Sequence, residues 1–209
     1  MDPAEQVDRI LRGVRGLPAR DGRIFIAIGG PPASGKSTLA ERAQTALQSG
    51  GIPCGLVPMD GFHLDNATLE ARGLLSRKGA PETFDLDGFA AVLADLSTQA
   101  SVSIPHFDRT RDCVVPGAAI IGPAERHVVV EGNYLFLDAP GWRDLARYWT
   151  FGVFVAPAMD VLRTRLIARW LDHGLSADAA ERRAMDNDLP NAARVISGYR
   201  DRAADLILD

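Results

Sequence analysis

The stretch Gly30-Pro31-Pro32-Ala33-Ser34-Gly35-Lys36-Ser37 decides how the rest of this chain folds. It fits G-x-x-x-x-G-K-[ST], a phosphate-binding P-loop whose glycines let the backbone turn tightly and aim N–H groups at phosphate oxygens. Residues 24–28 before it are apolar and predict a buried strand, and residues 38–47 after it predict a helix. This context favours nucleotide binding, because an ordinary glycine-rich turn would need neither Lys36 nor Ser37.

The loop also indicates how a nucleoside triphosphate would be held. Lys36 is expected to bridge the β- and γ-phosphates, and Ser37 to ligate the Mg²⁺ that accompanies them. The predicted cofactors are therefore ATP and Mg²⁺. The predicted nucleotide-binding residues are Gly30, Ala33, Ser34, Gly35, Lys36, Ser37 and Thr38.

Composition narrows the class of protein. The chain has 209 residues, which suits one sizeable α/β core, and its net charge of -4 gives no sign of a nucleic-acid-binding surface. No stretch is long and apolar enough to predict a membrane span. Its two cysteines, Cys54 and Cys113, lie in no CxxC or Cys/His cluster, so the sequence does not predict a zinc site. So few cysteines are typical of a protein in the reducing cytoplasm.

Residues 1–20 are predicted to form an N-terminal amphipathic helix that packs on the domain. Acidic residues in this segment argue against a signal peptide or a membrane-surface anchor. The apolar stripe consists of Val7, Ile10, Leu11 and Val14.

Strands and helices alternate along the rest of the chain. This alternation predicts an α/β fold with three α/β/α layers around a five-stranded parallel sheet. Helices are predicted to be capped by Asp87, Asp160 and Ser176, with Pro190 breaking or restarting the last one. Residues 102–116 are predicted to be irregular, with strand and loop character. Beyond the first strand, the predicted strands are 52–59, 127–131, 151–155 and 206–208.

Two carboxylates follow predicted strands at the sheet edge where ligands bind in such folds. Asp60, after the second strand, is placed to take a proton from an acceptor hydroxyl, but a turn aspartate would look the same. Glu131 ends the third strand beside Gly132 and fits a Mg²⁺-supporting acid. Its alternative role is a buried salt bridge, because a buried acid without a cation would be costly.

For several basic residues and one histidine, the sequence spacing is consistent with either a functional or a structural role. Arg165 and Arg169 share one helix face and can close over phosphates as a lid, although a solvated face is the favoured reading from these residues alone. Lys78 can orient a substrate or remain solvated. His63 can bind a substrate hydroxyl or serve as a structural residue, and the four histidines show no metal-ligand pattern.

Several further motifs occur in a fixed order, and together they resemble the P-loop kinases that include uridine kinase, phosphoribulokinase and bacterial type I pantothenate kinase. The chain looks most like the short bacterial pantothenate-kinase-like proteins labelled nucleoside/nucleotide or fructose-transport-system kinases. The motifs are Met59-Asp60-Gly61-Phe62, Asn66, residues 71–75, residues 77–85, Val130-Glu131-Gly132-Asn133, residues 187–191 and residues 202–208.

The resemblance implies a P-loop NTPase fold, with residues 1–209 forming a single kinase domain and residues 160–188 a small lid. It implies that Asp60 is the base, that Lys36 holds the phosphates, and that Arg165 and Arg169 act from the lid. Ser37 and Glu131 would hold Mg²⁺, and the segment around Asn187 and Asn191 would lie near the nucleotide base or the pocket wall. Relatives often form dimers, which makes a homodimer possible.

The resemblance weakens between Pro105 and Asp112, where pantothenate kinases have an aromatic and histidine-bearing stretch. Here the aromatic residue is Phe107, which has no hydroxyl, and charged residues follow it: Asp108, Arg109, Arg111 and Asp112. This change favours a polyhydroxylated acceptor such as a sugar or nucleoside. The predicted acceptor-contacting residues are Asp60, His63, Lys78, Phe84, Asp85, Phe107, Arg109 and Asp112.

The predicted function is ATP-dependent phosphorylation of a hydroxyl on a small polar metabolite in the cytoplasm, with no nucleic-acid or membrane partner. Pantothenate kinase activity is one alternative, and a nucleotide switch or ATPase without a small-molecule acceptor is another. The guanine-reading N-K-x-D tetrapeptide is absent, because no asparagine precedes a lysine. Asp60 also suits a bound alcohol better than water.

Overall fold

Five apolar segments form one parallel sheet in the computed structural model, which describes residues 2–199 and 203–209. Arg202, the first residue of the C-terminal motif, and Met1 lie outside the described residues. The sheet order is β2-β5-β1-β6-β7, and β3 and β4 form a separate antiparallel hairpin. The strands are β1 (Ile24–Gly29), β2 (Cys54–Pro58), β3 (Val102–Asp108), β4 (Cys113–Ile121), β5 (His127–Gly132), β6 (Phe151–Val155) and β7 (Leu206–Leu208).

The helices connect these strands and cover the sheet. Short 3-10 turns occupy Met59–Phe62, Leu75–Arg77, Pro81–Thr83 and Trp142–Arg147, and a π-helical turn occupies Ala184–Asp188. The α-helices are α1 (Pro3–Arg15), α2 (Lys36–Ser49), α3 (Asn66–Ala71), α4 (Leu86–Thr98), α5 (Met159–Asp172), α6 (Ala177–Arg183) and α7 (Leu189–Ser197). None of the helices in the described part of the chain is long and apolar enough to cross a bilayer.

The two faces of the sheet bury different sets of side chains. Ile26 and Ile28 of β1 pack with α1 and α2 on one face, whereas Phe25 and Ala27 pack with α4 and the segment after β5 on the other. Because successive strand residues point to opposite faces, the uninterrupted apolar run of β1 requires cover on both. The predicted three-layer α/β/α arrangement around a five-stranded parallel sheet is confirmed.

Two of the three predicted helix caps are wrong. The carboxylate of Asp85, not Asp87, accepts the N–H of Gly88 at 2.9 Å and caps α4, so Asp87 lies inside the first turn. Asp160 lies inside α5, whose N-cap is Ala158. Each segment has an acidic residue within its first turn, where the helix dipole also favours it, and sequence alone did not separate that position from the cap. The Ser176 cap of α6 is confirmed.

The segment 102–116, predicted to be irregular with strand and loop character, belongs to an antiparallel hairpin of β3 and β4 that continues to Ile121. Two features hide its strand character in the sequence: Pro105 within β3, and Gly117 within β4, which has φ 64°. The hairpin absorbs Pro105 with a register shift between Ile104 and His106, as expected for a residue that cannot donate to a strand ladder. The predicted strand 52–59 is shorter, because a 3-10 turn begins at Met59.

Arg23, the residue before β1, joins three parts of the fold. All five N–H donors of its guanidinium point at backbone carbonyls, at 2.7–3.1 Å. The acceptors belong to the end of α4 (Leu96, Gln99, Ala100) and to the turn between β4 and β5 (Gly122, Glu125). This cluster anchors the hairpin to the central sheet.

Replacing Arg23 should therefore destabilise the fold. Arg23→Ala is expected to lower the free energy of unfolding by about 2 kcal/mol, since several carbonyls lose a charged donor. Arg23→Lys should recover only part of this loss, because an ammonium cannot fork to five acceptors. Urea denaturation followed by circular dichroism measures both. Arg42→Ala, at an exposed position of α2, is the control, and equal effects at the two positions would contradict the role of Arg23.

Candidate active site

The register of β1 and β5 brings the P-loop and Glu131 together. Ile28 pairs with Glu131 and Gly29 with Gly132, so both strands end at the same level. The loop leaves β1 at Gly30, where any Cβ would lie 2.3 Å from the carbonyl oxygen of Val155 on β6. Only glycine permits this close approach, which sets the path of the loop across the sheet edge.

The loop then forms an open cradle at the start of α2. Ala33 and Gly35 have positive φ angles of 63° and 93°, and Gly35 occupies the N-cap of α2 without any side-chain hydrogen bond. The Lys36 N–H, the first of α2, donates to Ser34 Oγ at 3.4 Å, and no side chain of the described residues caps the N–H groups of Ser37 and Thr38. Unpaired N–H groups and the positive end of the helix dipole make this an anion-binding position.

Opposite charges are buried behind this cradle. The residues Lys36 and Glu131 are 8% and 5% exposed, and the Ser37 hydroxyl donates to Glu131 Oε2 at 3.0 Å. Burial lowers the pKa of Lys36, and the carboxylates of Glu131 and Asp60 counteract this shift. Burial raises the pKa of Glu131, and the Lys36 ammonium counteracts that shift. A hydroxyl and a carboxylate side by side at a P-loop are the oxygen ligands that Mg²⁺ prefers, so the residues present fit this ion.

A cavity of about 740 Å³ extends from the P-loop to Asp60 and beyond. Asp60 lies in the 3-10 turn after β2, and its carboxylate Oδ2 accepts a hydrogen bond from Arg109 Nη2 at 2.9 Å. Arg109 follows β3, so the hairpin reaches across to the edge of the main sheet. One continuous space therefore contains a phosphate-binding loop and a carboxylate that can act as a base.

An aromatic wall lies next to Asp60. The His63 ring packs between Phe84 and Phe107, with centroid separations of 4.2 and 4.7 Å, and all three residues line the cavity. His63 Nδ1 is 2.8 Å from the backbone oxygen of Asp60. Burial lowers the pKa of His63, which favours the neutral ring.

A polar network closes the far side of the cavity. Lys78 Nζ lies 2.8 Å from Asp112 Oδ1 and 2.7 Å from Asn66 Oδ1. Although burial alone would raise it, the pKa of Asp112 is held below its usual range by hydrogen bonds from Lys78 and Asn66. The network ties the hairpin to the segment that follows β2.

The arginines of α5 have different surroundings. Arg165 Nη1 donates to the carbonyl oxygens of Ala33 and Ser34, each at 3.2 Å, and so supports the P-loop from outside the cavity. Arg169 lines the cavity, with its guanidinium 5.5 Å from the Trp170 ring centroid. Arg163 pairs with Glu181 on α6 and takes no part in the site.

Most of the residues predicted for the site line this cavity, and five do not. Gly30, Ser34 and Glu131 are not among the cavity-lining residues, although Glu131 accepts a hydrogen bond from the cavity-lining Ser37. Arg165 contacts only the outside of the loop, and the exposed Asp85 caps α4. The predicted residues that line the cavity are Ala33, Gly35, Lys36, Ser37, Thr38, Asp60, His63, Lys78, Phe84, Phe107, Arg109, Asp112 and Arg169.

Sequence reasoning missed a cluster where α5 and the π-helical turn border the cavity. Trp170 Nε1 donates to Asp188 Oδ2 at 2.5 Å, and Arg169 and Arg183 lie 5.5 and 5.3 Å from the Trp170 ring. Burial raises the pKa of Asp188, against the Trp170 hydrogen bond. The one sequence feature that could have indicated this cluster is Trp170, a large aromatic residue on the otherwise charged helix α5. Asn133 was missed as a wall residue, while Asn191, expected there from the resemblance, does line the cavity.

The fold and this site define a P-loop kinase: a nucleotide-binding turn at the carboxyl edge of a parallel sheet, with one cavity that extends from the turn past Asp60. Residues 25–208 match the sequence model of the Phosphoribulokinase / Uridine kinase family. The chain belongs to that family, which implies ATP binding and the general use of Mg²⁺.

Individual relatives agree with this assignment. The "Uncharacterized protein YggC" of Escherichia coli K12 is 36% identical over 190 residues, covering 90% of this chain and 78% of that protein. A pantothenate kinase of Leifsonia xyli is 34% identical over 170 residues, covering 79% of this chain and 51% of its own length. The crystal structure of a "putative fructose transport system kinase" from Silicibacter sp. TM1040 has 48% identity, a TM-score of 0.92 and full coverage of both chains.

Replacing Arg165, which contacts the P-loop, and Arg169, which lines the cavity, should have different effects. Arg165→Ala is expected to weaken Mg·ATP binding about fivefold and to speed amide exchange in residues 33–35, because two carbonyls of the loop lose their donor. Arg169→Ala should leave loop exchange unchanged and reduce turnover roughly 100-fold, since a cation that lines the cavity is lost. Calorimetry, hydrogen exchange and ADP release measure these effects. Arg163→Ala on the same helix is the control, and identical behaviour of the first two variants would contradict the distinction.

Proposed function

We propose that this chain is a small-molecule kinase that uses Mg·ATP to phosphorylate a hydroxyl group of a small polar metabolite. One observation carries the proposal: the P-loop and the Asp60 carboxylate face a single cavity, with the Ser37–Glu131 pair behind the loop. A kinase needs both halves of this arrangement, whereas a nucleotide switch needs only the first.

Each half of the cavity has a distinct task in this proposal. The P-loop N–H groups and Lys36 hold the phosphates, and Ser37 and Glu131 hold Mg²⁺, which neutralises the charge of the transferred phosphoryl group. Arg169 adds a cation from the lid side. Asp60 takes the proton of the acceptor hydroxyl through the oxygen that Arg109 does not bind.

The acceptor that this pocket fits best is a polyhydroxylated molecule such as a sugar or a nucleoside. The Lys78–Asp112–Asn66 network and Arg109 offer donors and acceptors around an aromatic wall, which suits hydroxyl groups on a compact carbon frame. The names of two relatives, a pantothenate kinase and a "putative fructose transport system kinase", make pantothenate and hexoses the first compounds to test.

The cellular setting is also part of the proposal. Cys54 and Cys113 are both free, which supports work in the reducing cytoplasm. We propose a small-molecule acceptor in preference to a nucleic acid or membrane partner, because the net charge is -4 and the cavity is compact. We also propose a homodimer, and analytical ultracentrifugation of the purified protein would measure its oligomeric state.

Asp60→Asn is the decisive variant for the proposed reaction. It keeps the shape of the side chain and removes the base, so acceptor-dependent ADP release should fall about 100-fold or more while Mg·ATP affinity is retained. The measurement is coupled ADP release with sugars, nucleosides, pantothenate and glycerate as acceptors. Asp87→Asn, on the exposed face of α4, is the control. Turnover that ignores the acceptor would support the ATPase alternative, and full activity of Asp60→Asn would remove Asp60 from its role.

The hairpin residues should control acceptor affinity. Arg109→Ala and Asp112→Ala are each expected to raise the acceptor KM about tenfold, because Arg109 contacts Asp60 and Asp112 positions Lys78. The KM for ATP should change little. Arg182→Ala, on the outer surface of α6, serves as the control. An unchanged acceptor KM in both hairpin variants would mean that this end of the cavity does not bind the acceptor.

A further inference from the structure

The chain has only two lysines among its 23 Lys and Arg residues, Lys36 and Lys78, and both line the same cavity. An ammonium is a single point charge on a flexible stem, so its place in a site depends on the backbone from which the stem begins. The stem of Lys36 begins in α2. Lys78 follows the 3-10 turn Leu75–Arg77 and lies outside every α-helix and strand of the described residues, so its backbone needs support from elsewhere.

Side chains of α6 and of the π-helical turn supply this support. Arg183 Nη1 donates to the carbonyl oxygen of Ser76 at 2.9 Å, and Arg183 Nη2 donates to that of Lys78 at 3.4 Å. Asn187 Nδ2 donates to the same Lys78 oxygen at 3.1 Å. Because a guanidinium presents its donors in a rigid fork, Arg183 fixes the path of the backbone on both sides of residue 77.

The aim of Arg183 is set by its neighbours in the arm. Its guanidinium lies 5.3 Å from the centroid of the Trp170 ring, and Trp170 Nε1 donates to Asp188 Oδ2 at 2.5 Å. No ion pair among the described residues includes Arg183. The indole and the two carbonyls, rather than a carboxylate, therefore direct this cation. Arg183 also lines the cavity, so direct contact with the substrate is the competing role that the experiments must separate.

The other end of Lys78 is held by the hairpin. Its Nζ atom lies 2.8 Å from Asp112 Oδ1 and 5.0 Å from the centroid of the Phe107 ring, and the side chain is only 13% exposed. Lys78 is thus bound at its backbone by α6 and at its ammonium by the hairpin. A change at either end displaces the stem that connects them.

We propose that Arg183 is a positioning residue, which holds the backbone of Ser76 and Lys78 so that the Lys78 ammonium stays beside Phe107 and Asp112. The inference rests on the proposed function and adds to it a residue that acts through Lys78. Arg183→Gln keeps an amide donor for one carbonyl but cannot bind both. Arg183→Lys keeps the positive charge and also lacks the fork. The two variants therefore separate the geometry of this side chain from its charge.

The position of Lys78 can be measured in the free protein, because the chain has only two lysines. In ¹H–¹³C spectra of ¹³C-lysine-labelled protein, the Phe107 ring should displace the Lys78 ε-methylene signal from its position in an unstructured peptide. Arg183→Gln should move this signal toward the unstructured position and leave the Lys36 signal in place. Lys78→Met assigns the signal, and Arg182→Ala, at an exposed position of α6, should move neither. An unmoved Lys78 signal in Arg183→Gln, or equal movement of both lysine signals, would overturn the proposal.

Steady-state kinetics test whether Arg183 acts on the substrate or on Lys78. The acceptor used is whichever of D-fructose, D-ribose, uridine and pantothenate increases ADP release by the wild-type protein. Arg183→Gln should raise the acceptor KM about fivefold and leave the KM for ATP unchanged, because one backbone hydrogen bond is lost. Arg183→Lys should recover none of this loss. An acceptor KM restored by Arg183→Lys would assign the residue a direct electrostatic contact and contradict the positioning role.

A double-mutant cycle with Lys78 completes the test. If Arg183 acts through Lys78, adding Arg183→Gln to Lys78→Met should raise the acceptor KM less than about twofold beyond Lys78→Met alone. Losses that multiply would mean that Arg183 contacts the acceptor itself, and would overturn the proposal. If none of the four compounds increases ADP release, the proposed function is contradicted, and the two lysine signals of the free protein then decide the role of Arg183 on their own.

Discussion

The parallel pairing of β1 with β5 is the constraint on which the rest of the site depends. It sets Glu131 level with the end of β1, so the P-loop folds directly over a buried carboxylate. That carboxylate offsets the cost of burying Lys36 and accepts the Ser37 hydroxyl. A slip of one residue would turn Glu131 toward the opposite face of the sheet and leave Lys36 without its neighbour. The register of two strands thus determines both the charge balance and the positions of Ser37 and Glu131, the proposed Mg²⁺ ligands.

The second half of the cavity is built differently, from segments inserted between strands. Asp60 and His63 come from the turn after β2, Phe84 precedes α4, and Phe107 and Arg109 come from the hairpin. These segments hold one another through the His63 ring and the Lys78–Asp112 pair rather than through the main sheet. The P-loop half of the cavity is therefore set by the sheet, and the half beside Asp60 by contacts among its own side chains.

This division explains how much could be predicted from the sequence. Strands β1, β5 and β6 are largely apolar runs whose burial leaves few alternatives, and the P-loop spacing has a direct geometric meaning. The hairpin escaped because Pro105 and Gly117 interrupt its strand pattern, and Asp85 was given a substrate role although it caps α4. Trp170 and Asp188 meet only after α5 and the π-helical turn pack together, so their hydrogen bond depends on tertiary contacts that no local pattern reports.

The hydrogen bonds of Arg23 influence how the side chains of the proposed acceptor pocket can change during evolution. Every group that it binds is a backbone carbonyl, so the anchor does not depend on which side chains occupy residues 96–100 or 122–125. The hairpin between these two anchor points can exchange its side chains without losing its attachment to the sheet. The fold therefore carries Phe107, Arg109 and Asp112, the hairpin residues proposed to contact the acceptor, on a segment whose side chains can change while the P-loop keeps its shape.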